Sequence, residues 1–248
     1  MTVQEQIAQN LDAIRGRIAS AAERAGRKAG DITLIAVSKL NPAESVEAAI
    51  AHDQLEFGEN WVKELLEKES AVGEYLEANS PETAEKLKWH FIGHLQTNKV
   101  RQLIGKTVLI HSVDSFKLAS VIDTESKKKD VITDVLLEIN IGDEESKYGI
   151  RPDEAVDFAD SLKDLHNIRI RGLMTVAPIC DDPEANRPYF KKMRELFIDI
   201  KSKNNDNISM DVLSMGMTLD FEAAIEEGAT HVRVGTGIFG ARDYGNRS

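Results

Sequence analysis

Lys39 follows an apolar, β-type run over residues 33–37 and precedes Asn41-Pro42 and a helical pattern. A lysine at the C-terminal edge of a strand can turn a partly desolvated amine into a ligand site. There it can form a Schiff base with an aldehyde. Taken alone, Lys39 reads more plainly as a solvated lysine closing a strand, and other segments decide between the two. Ser214-Met215-Gly216-Met217-Thr218 and Arg233-Val234-Gly235-Thr236-Gly237 each bring glycines to a strand end. Glycine lets backbone N–H groups approach an anion closely, and Ser214 and Thr218 offer hydroxyl donors, so a phosphate suits this pair of segments. The plainer alternative is two tight turns. Strand alternation puts Arg233 and Gly235 on one side, and an inward arginine needs an acceptor such as a ligand nitrogen or a carboxylate. His231 shares that parity and reads as a core histidine. Asn60 ends the segment Phe57-Gly58-Glu59-Asn60, again at a strand end.

His90 and His94 are four apart, but Trp89-His90-Phe91-Ile92-Gly93 reads as a strand and no H-E-x-x-H pattern is present. No metal site is expected. The acids Glu144-Glu145 and Asp181-Asp182 read as solvated loop residues, and Lys127-Lys128-Lys129 as a helix end.

These residues need a scaffold that gathers strand ends on one face. Apolar runs over 33–37, 54–57, 88–92, 108–112, 134–139, 168–173, 210–214 and 231–234 read as strands. Helical patterns fall at 43–51, 61–71, 98–104, 115–127, 152–165, 183–201 and 219–226. Eight β–α units in 248 residues is the size of a (β/α)8 TIM barrel. A doubly wound sheet is the competing architecture, weakened because no G-x-G-x-x-G follows the first strand. Ile7, Leu11, Ile14 and Ile18 mark an extra N-terminal helix that caps the barrel or packs beside it. The polar stretch 74–86, with Asn79-Ser80-Pro81, reads as a surface excursion. No linker divides the chain, so residues 1–248 are expected to form one domain.

Lys and Arg total 31 against 42 Asp and Glu, a net charge of -11. That balance disfavours a general nucleic-acid or anionic-membrane binder but permits a local phosphate pocket. Cys180 is the only cysteine, which excludes an internal disulfide and suggests a buried, inert thiol. No signal-peptide pattern and no membrane-length apolar run is seen, so a soluble cytoplasmic protein is expected.

With these segments assembled, the chain resembles the YggS/PROSC family of pyridoxal 5′-phosphate (PLP)-binding homeostasis proteins. The resemblance runs along nearly the whole chain. It rests on Ala36-Val37-Ser38-Lys39, Phe57-Gly58-Glu59-Asn60, the run Trp89 to Lys99, Gly172-Leu173-Met174, Leu213-Ser214-Met215-Gly216-Met217 and Val232-Arg233-Val234-Gly235-Thr236. Each segment alone is weak, and together they are specific. The family looks like the barrel domain of bacterial alanine racemase standing alone, a fold-type III PLP fold. The resemblance implies a Schiff base between Lys39 and PLP. It further implies phosphate contacts from Ser214, Gly235 and Thr236 with the Met217 or Thr218 backbone, Arg233 at the pyridine nitrogen, and Asn60 near the ring. Thr218 departs from the serine usual in the family but keeps the hydroxyl.

An arginine at the ring nitrogen disfavours its protonated form and weakens the electron sink. The resemblance also includes no second, dimerising domain. Both features favour a monomeric carrier without a dedicated reaction, buffering PLP or delivering it to apo-enzymes. The alternative is a fold-type III enzyme such as an amino-acid racemase, with Tyr148, Lys39 and His94 as acid–base groups. A sugar-phosphate barrel enzyme that needs no PLP is the third reading.

Overall fold

Thr2 starts the first helix with a capping box: its hydroxyl accepts from the Glu5 N–H, and the Glu5 carboxylate accepts from the Thr2 N–H. In the computed structural model this helix, α1 (Val3–Arg24), buries Ile7, Leu11, Ile14 and Ile18, the stripe marked by their spacing. The structure describes residues 2–144, 146–178, 180, 182–203 and 206–241. Glu145 and Asp181 of the acidic pairs, and the tail beyond Ala241, lie outside the described residues.

Eight parallel strands close into a barrel in chain order. They are β1 (Thr33–Val37), β2 (Glu56–Glu59), β3 (Lys88–Phe91), β4 (Leu109–Val113), β5 (Thr133–Glu138), β6 (Ile168–Met174), β7 (Ile208–Ser214) and β8 (His231–Val234). The closing seam pairs β1 with β8, with Ile35 opposite Arg233. The expected (β/α)8 barrel is borne out, and the open-sheet alternative is excluded by that seam. Around it lie α2 (Ala43–Ile50), α3 (Val62–Asn79), α4 (Pro81–Ala84), α5 (Val100–Leu103), α6 (Phe116–Lys128), α7 (Ala155–Ser161), α8 (Arg187–Lys201), α9 (Phe221–Glu226) and α10 (Thr236–Phe239). Helix α1 packs on α2, α9 and α10, beside the seam. Asn10 donates to the Ile238 carbonyl at 2.8 Å, and Arg17 lies 4.5 Å from the Phe221 ring centre.

Alternation along the strands separates two environments. Ala36, Phe57, Trp89, Phe91, Ile110, Val135, Leu137, Leu213 and Val232 face the helices in one continuous core. Leu109, Leu136, Met174 and Val212 form a small separate cluster inside the barrel. Polar groups share the lumen with these and Ile35: His90, His111, Ser214 and Arg233 are all buried there. A barrel lumen is usually filled with branched aliphatic side chains. Buried polar groups in that place need partners, and they find them in one another.

The polar stretch 74–86 lies largely at the surface and is helical for most of its length: α3 runs on to Asn79, and Pro81 occupies the first turn of α4, where its missing N–H costs nothing. One expectation needs correction. Cys180 is half-buried, its thiol 3.6 Å from the Pro178 carbonyl. Among the described residues no helix is long and apolar enough to cross a membrane.

Candidate functional site

The strand ends surround a cavity of about 470 Å³ at the C-terminal face. Its lining includes Lys39, Asn60, Met217, Thr218, Arg233, Gly235 and Thr236, with Val37, Ile92, Val176, Pro178, Cys180, Asn186, Leu219 and Asp220 completing the wall. Seven of the eight residues singled out from sequence therefore converge on one space. That volume lies in the usual range for small-ligand sites, roughly 300–1,000 Å³.

Lys39 sits in a turn that is held from outside the barrel. Helix α3 brings Lys68, only 5% exposed, under the end of β1. Its Nζ donates to the Ser38 carbonyl at 2.7 Å, to Glu59 at 2.6 Å and to Glu64 at 2.8 Å. Glu59 also accepts from the Ser38 hydroxyl at 2.6 Å, and Glu64 accepts from the Leu40 N–H at 2.6 Å. Leu40 has a φ of 66°, a left-handed conformation costly for a residue with a Cβ. The bond from its N–H to Glu64 helps hold it there. The residues on both sides of Lys39 are thus tied to one buried ionic cluster. Burial pushes the Glu59 carboxyl up, with Lys68 opposing.

The opposite wall is built by the two glycine segments. Gly216 has a φ of 90°, and a Cβ there would lie 2.6 Å from the Ala224 Cβ and 2.8 Å from the Phe221 Cα. Only glycine fits this turn. Asp220 folds the next residues, accepting from the Met217 N–H at 2.7 Å and from Asn186 at 2.7 Å. A Cβ on Gly237 would press on Val234 at 2.9 Å and on Thr218 at 3.0 Å, so α10 lies close against Thr218. The Thr236 hydroxyl is 3.3 Å from that of Thr218, and the Gly237 N–H donates to the same oxygen at 3.4 Å. Hydroxyls and backbone N–H groups so gathered suit an anion.

Arg233, 5% exposed, reaches the cavity from the lumen. Its Nη1 donates to Ser214 Oγ at 2.6 Å and its Nη2 to the Thr175 carbonyl at 2.7 Å. Burial pulls the guanidinium down to about 10, which leaves it charged at neutral pH. Ser214 is fully buried behind Arg233 and absent from the cavity wall. Its hydroxyl is occupied by Arg233 and His111, so the anion-contact role expected of it does not fit this geometry. The Asn60 Oδ1 is buried with no hydrogen-bond partner among the described residues, a polar atom open to a ligand.

Sequence reasoning missed Glu59, Lys68, His111 and Glu138. Glu138 ends β5, mostly buried, and its Oε2 has no hydrogen-bond partner among the described residues. Burial, and then Asp114, push its carboxyl up to about 7. A raised carboxyl contributes stability in the protonated form, and that contribution is lost as pH rises toward 7. Glu138→Gln should therefore raise the unfolding free energy at pH 8, by on the order of 2 kcal/mol, and leave it unchanged near pH 4. Equal effects at both pH values in urea melts would refute this.

His94 and Tyr148, the two other acid–base candidates, stack on each other at 3.7 Å and lie outside the Lys39 cavity wall. His94 instead lines a neighbouring concavity of about 450 Å³ with Asn60, Trp61, Lys63, Gln96 and Lys99. His90 faces Glu56 and His111, so the two histidines spaced four apart do not converge.

The alanine racemase N-terminal domain family matches residues 9–243. The pyridoxal phosphate homeostasis protein of Aquifex aeolicus (strain VF5) is 42% identical over 236 residues, covering 95% of this chain and 98% of its own. That of Escherichia coli (strain K12) is 37% identical over 244 residues, covering 97% and 99%.

The chain belongs to the YggS/PROSC family of pyridoxal phosphate homeostasis proteins.

Solved structures of this family's fold agree. PipY of Synechococcus elongatus PCC7942 with PLP bound superposes with a TM-score of 0.78 at 31% identity, covering 95% of this chain and 100% of PipY. A protein of Bifidobacterium adolescentis described as unknown gives 0.89 at 34% identity, covering 95% of each chain. Alanine racemase from Corynebacterium glutamicum, at 16% identity and a TM-score of 0.69, shares the fold. This YggS/PROSC chain covers 62% of that enzyme.

Proposed function

We propose that this chain binds pyridoxal 5′-phosphate in the 470 Å³ cavity and serves PLP homeostasis. One observation carries the reading: in a chain of this family, Lys39, Asn60, Arg233 and the Thr218–Thr236 cradle line a single cavity. The donor set fits the group. Its phosphate matches the hydroxyls of Thr218 and Thr236 and the backbone N–H groups of Gly235 and Thr236, while Met217 lines the same wall with its own N–H given to Asp220. Its ring nitrogen, an acceptor when unprotonated, matches the Arg233 guanidinium. Asn60 has an unmatched polar atom for the ring substituents. When bound, PLP supplies an aldehyde that condenses with a primary amine, with loss of water.

Lys39 presents that amine, and the Lys68 cluster fixes the backbone that carries it. Thr218 and Thr236 orient the ligand by its anionic end. Arg233 holds the far end of the ring and disfavours a proton on its nitrogen, because a fixed cation lies beside it. Ser214 acts one step back, by anchoring Arg233. A carrier or buffer that supplies apo-enzymes suits this site better than a racemase. A racemase needs a second acid–base group beside Lys39, and Tyr148 and His94 are engaged with each other elsewhere. We assign residues 1–248 to one domain, monomeric and cytoplasmic.

Adding PLP to the purified protein, reducing with borohydride and mapping peptides by mass tests the assignment. A pyridoxyl adduct on the Lys39 peptide is expected. An unmodified Lys39 would return a phosphate-binding barrel without PLP to first place.

A further inference from the structure

We infer that Glu56, His90, His111 and Ser214 form a directed hydrogen-bond chain through the barrel lumen that positions Arg233 from the floor. The significance for the ligand rests on the PLP reading above, whereas the chain itself does not. It runs from the N-terminal end of β2, through β3, β4 and β7, to β8.

Its direction follows atom by atom. Glu56 Oε1 accepts from Lys88 at 2.8 Å, and Oε2 lies 2.9 Å from His90 Nε2. A carboxylate only accepts, so His90 Nε2 carries a proton. In neutral His90 the Nδ1 is then an acceptor. It lies 3.0 Å from His111 Nε2, which must donate. Neutral His111 keeps a lone pair on Nδ1, 3.1 Å from Ser214 Oγ, so Ser214 gives its single proton to His111. The lone pairs left on Ser214 Oγ accept from Arg233 Nη1 at 2.6 Å.

Every proton therefore points from the cation Arg233 toward the anion Glu56, with three neutral groups between. A chain with opposite charges at its ends is charge-assisted, and each bond polarises the next. Burial holds His111 well below its ordinary value, and His90, Arg233 and His231 around it act in the same sense. A proton added at His90 would reverse the chain: His111 would donate through Nδ1, and Ser214 would turn its hydroxyl elsewhere. The chain leaves Arg233 with two fixed anchors, Ser214 and the Thr175 carbonyl, and with other N–H donors toward the cavity. His90, His111 and Ser214 are thus positioning residues for the group that meets the ring nitrogen.

Long-range ¹H–¹⁵N spectra of the histidine side chains, recorded at pH 7.5 without PLP, test the direction. Nε2–H tautomers are expected at both His90 and His111, assigned with the H90Q and H111N variants. An Nδ1–H tautomer at His111 overturns the proposal. The positioning role is read on PLP-loaded protein. In Ser214→Ala the borohydride adduct on Lys39 still forms, but PLP is lost to a phosphatase trap roughly tenfold faster, as expected for one buried charge-assisted bond. The pH midpoint of its visible absorbance also moves, which a packing defect alone would not cause. His111→Asn, whose side-chain oxygen can still accept from Ser214, restores most of the retention that His111→Phe loses. Wild-type retention and an unmoved midpoint in both Ser214→Ala and His111→Phe overturn the role. If wild-type protein forms no Lys39 adduct, the PLP reading fails, and the tautomers still decide the chain.

Discussion

Lys39→Ala is expected to abolish the borohydride-trapped pyridoxyl adduct altogether, with the fold intact. Among the described residues Lys39 is the only lysine in the cavity wall, and Lys63 and Lys99 line the neighbouring concavity instead. No second amine in that wall can replace it. The variant should keep a weak, non-covalent attraction for PLP, because the Thr218–Thr236 cradle and Arg233 remain. Lys39→Arg separates chemistry from charge: it keeps the cation but offers no amine that condenses with an aldehyde at neutral pH. Both variants should lose the visible absorbance of the wild-type complex and the mass shift on the 39-containing peptide. A wild-type spectrum in either one would move the covalent site to another lysine. Circular dichroism melts within a few degrees of wild type are expected, since Lys68 and Glu64 hold the backbone at 38–40.

Much of this site was legible because its parts lie where local chemistry speaks. Strands β1 and β8 fall at the residues read from the sequence, since each is a short apolar run bounded by polar residues or glycine. Lys39, Arg233 and the glycines follow such runs, and the barrel brings their ends together. Strand β2 starts two residues later than the apolar run 54–57 suggests, because Gly58 and Glu59, which look like turn residues, belong to it. Glu59 is fully buried in the strand only because Lys68, nine residues later on α3, reaches it. From the sequence Lys68 is one more polar residue on a charged helix. Ser214 looks like a donor to an anion for a similar reason. Its hydroxyl is claimed by Arg233 from β8 and His111 from β4, partners 19 and 103 residues away. Periodicity reports which face a residue occupies; it does not report which distant polar group meets it there.

Lys68→Met carries the largest expected cost in stability. Lys68 and Glu59 are both buried, and removing one partner strands the other's charge, at about 3–5 kcal/mol. Burial already pushes the Glu59 carboxyl above its ordinary range, and Lys68 opposes that shift. Without Lys68 the carboxyl rises further. A carboxyl raised in the folded state loses stability as pH climbs through its folded value, so the variant should be weaker at pH 8 than at pH 5. Urea titrations at the two pH values measure this directly, and a pH-independent loss would contradict the charge argument. Glu59→Gln in the Lys68→Met background removes the stranded charge and should recover a large part of the loss, most clearly at pH 8. The cluster also ties the Ser38 carbonyl and the Leu40 N–H, so the single variant should slow adduct formation at Lys39 while that lysine is still present. Recovery of stability in the double variant without recovery of the adduct rate would separate the two roles: neutralising Glu59 removes the buried charge, whereas only Lys68 pulls the end of β1 into the position from which Lys39 reaches the cavity.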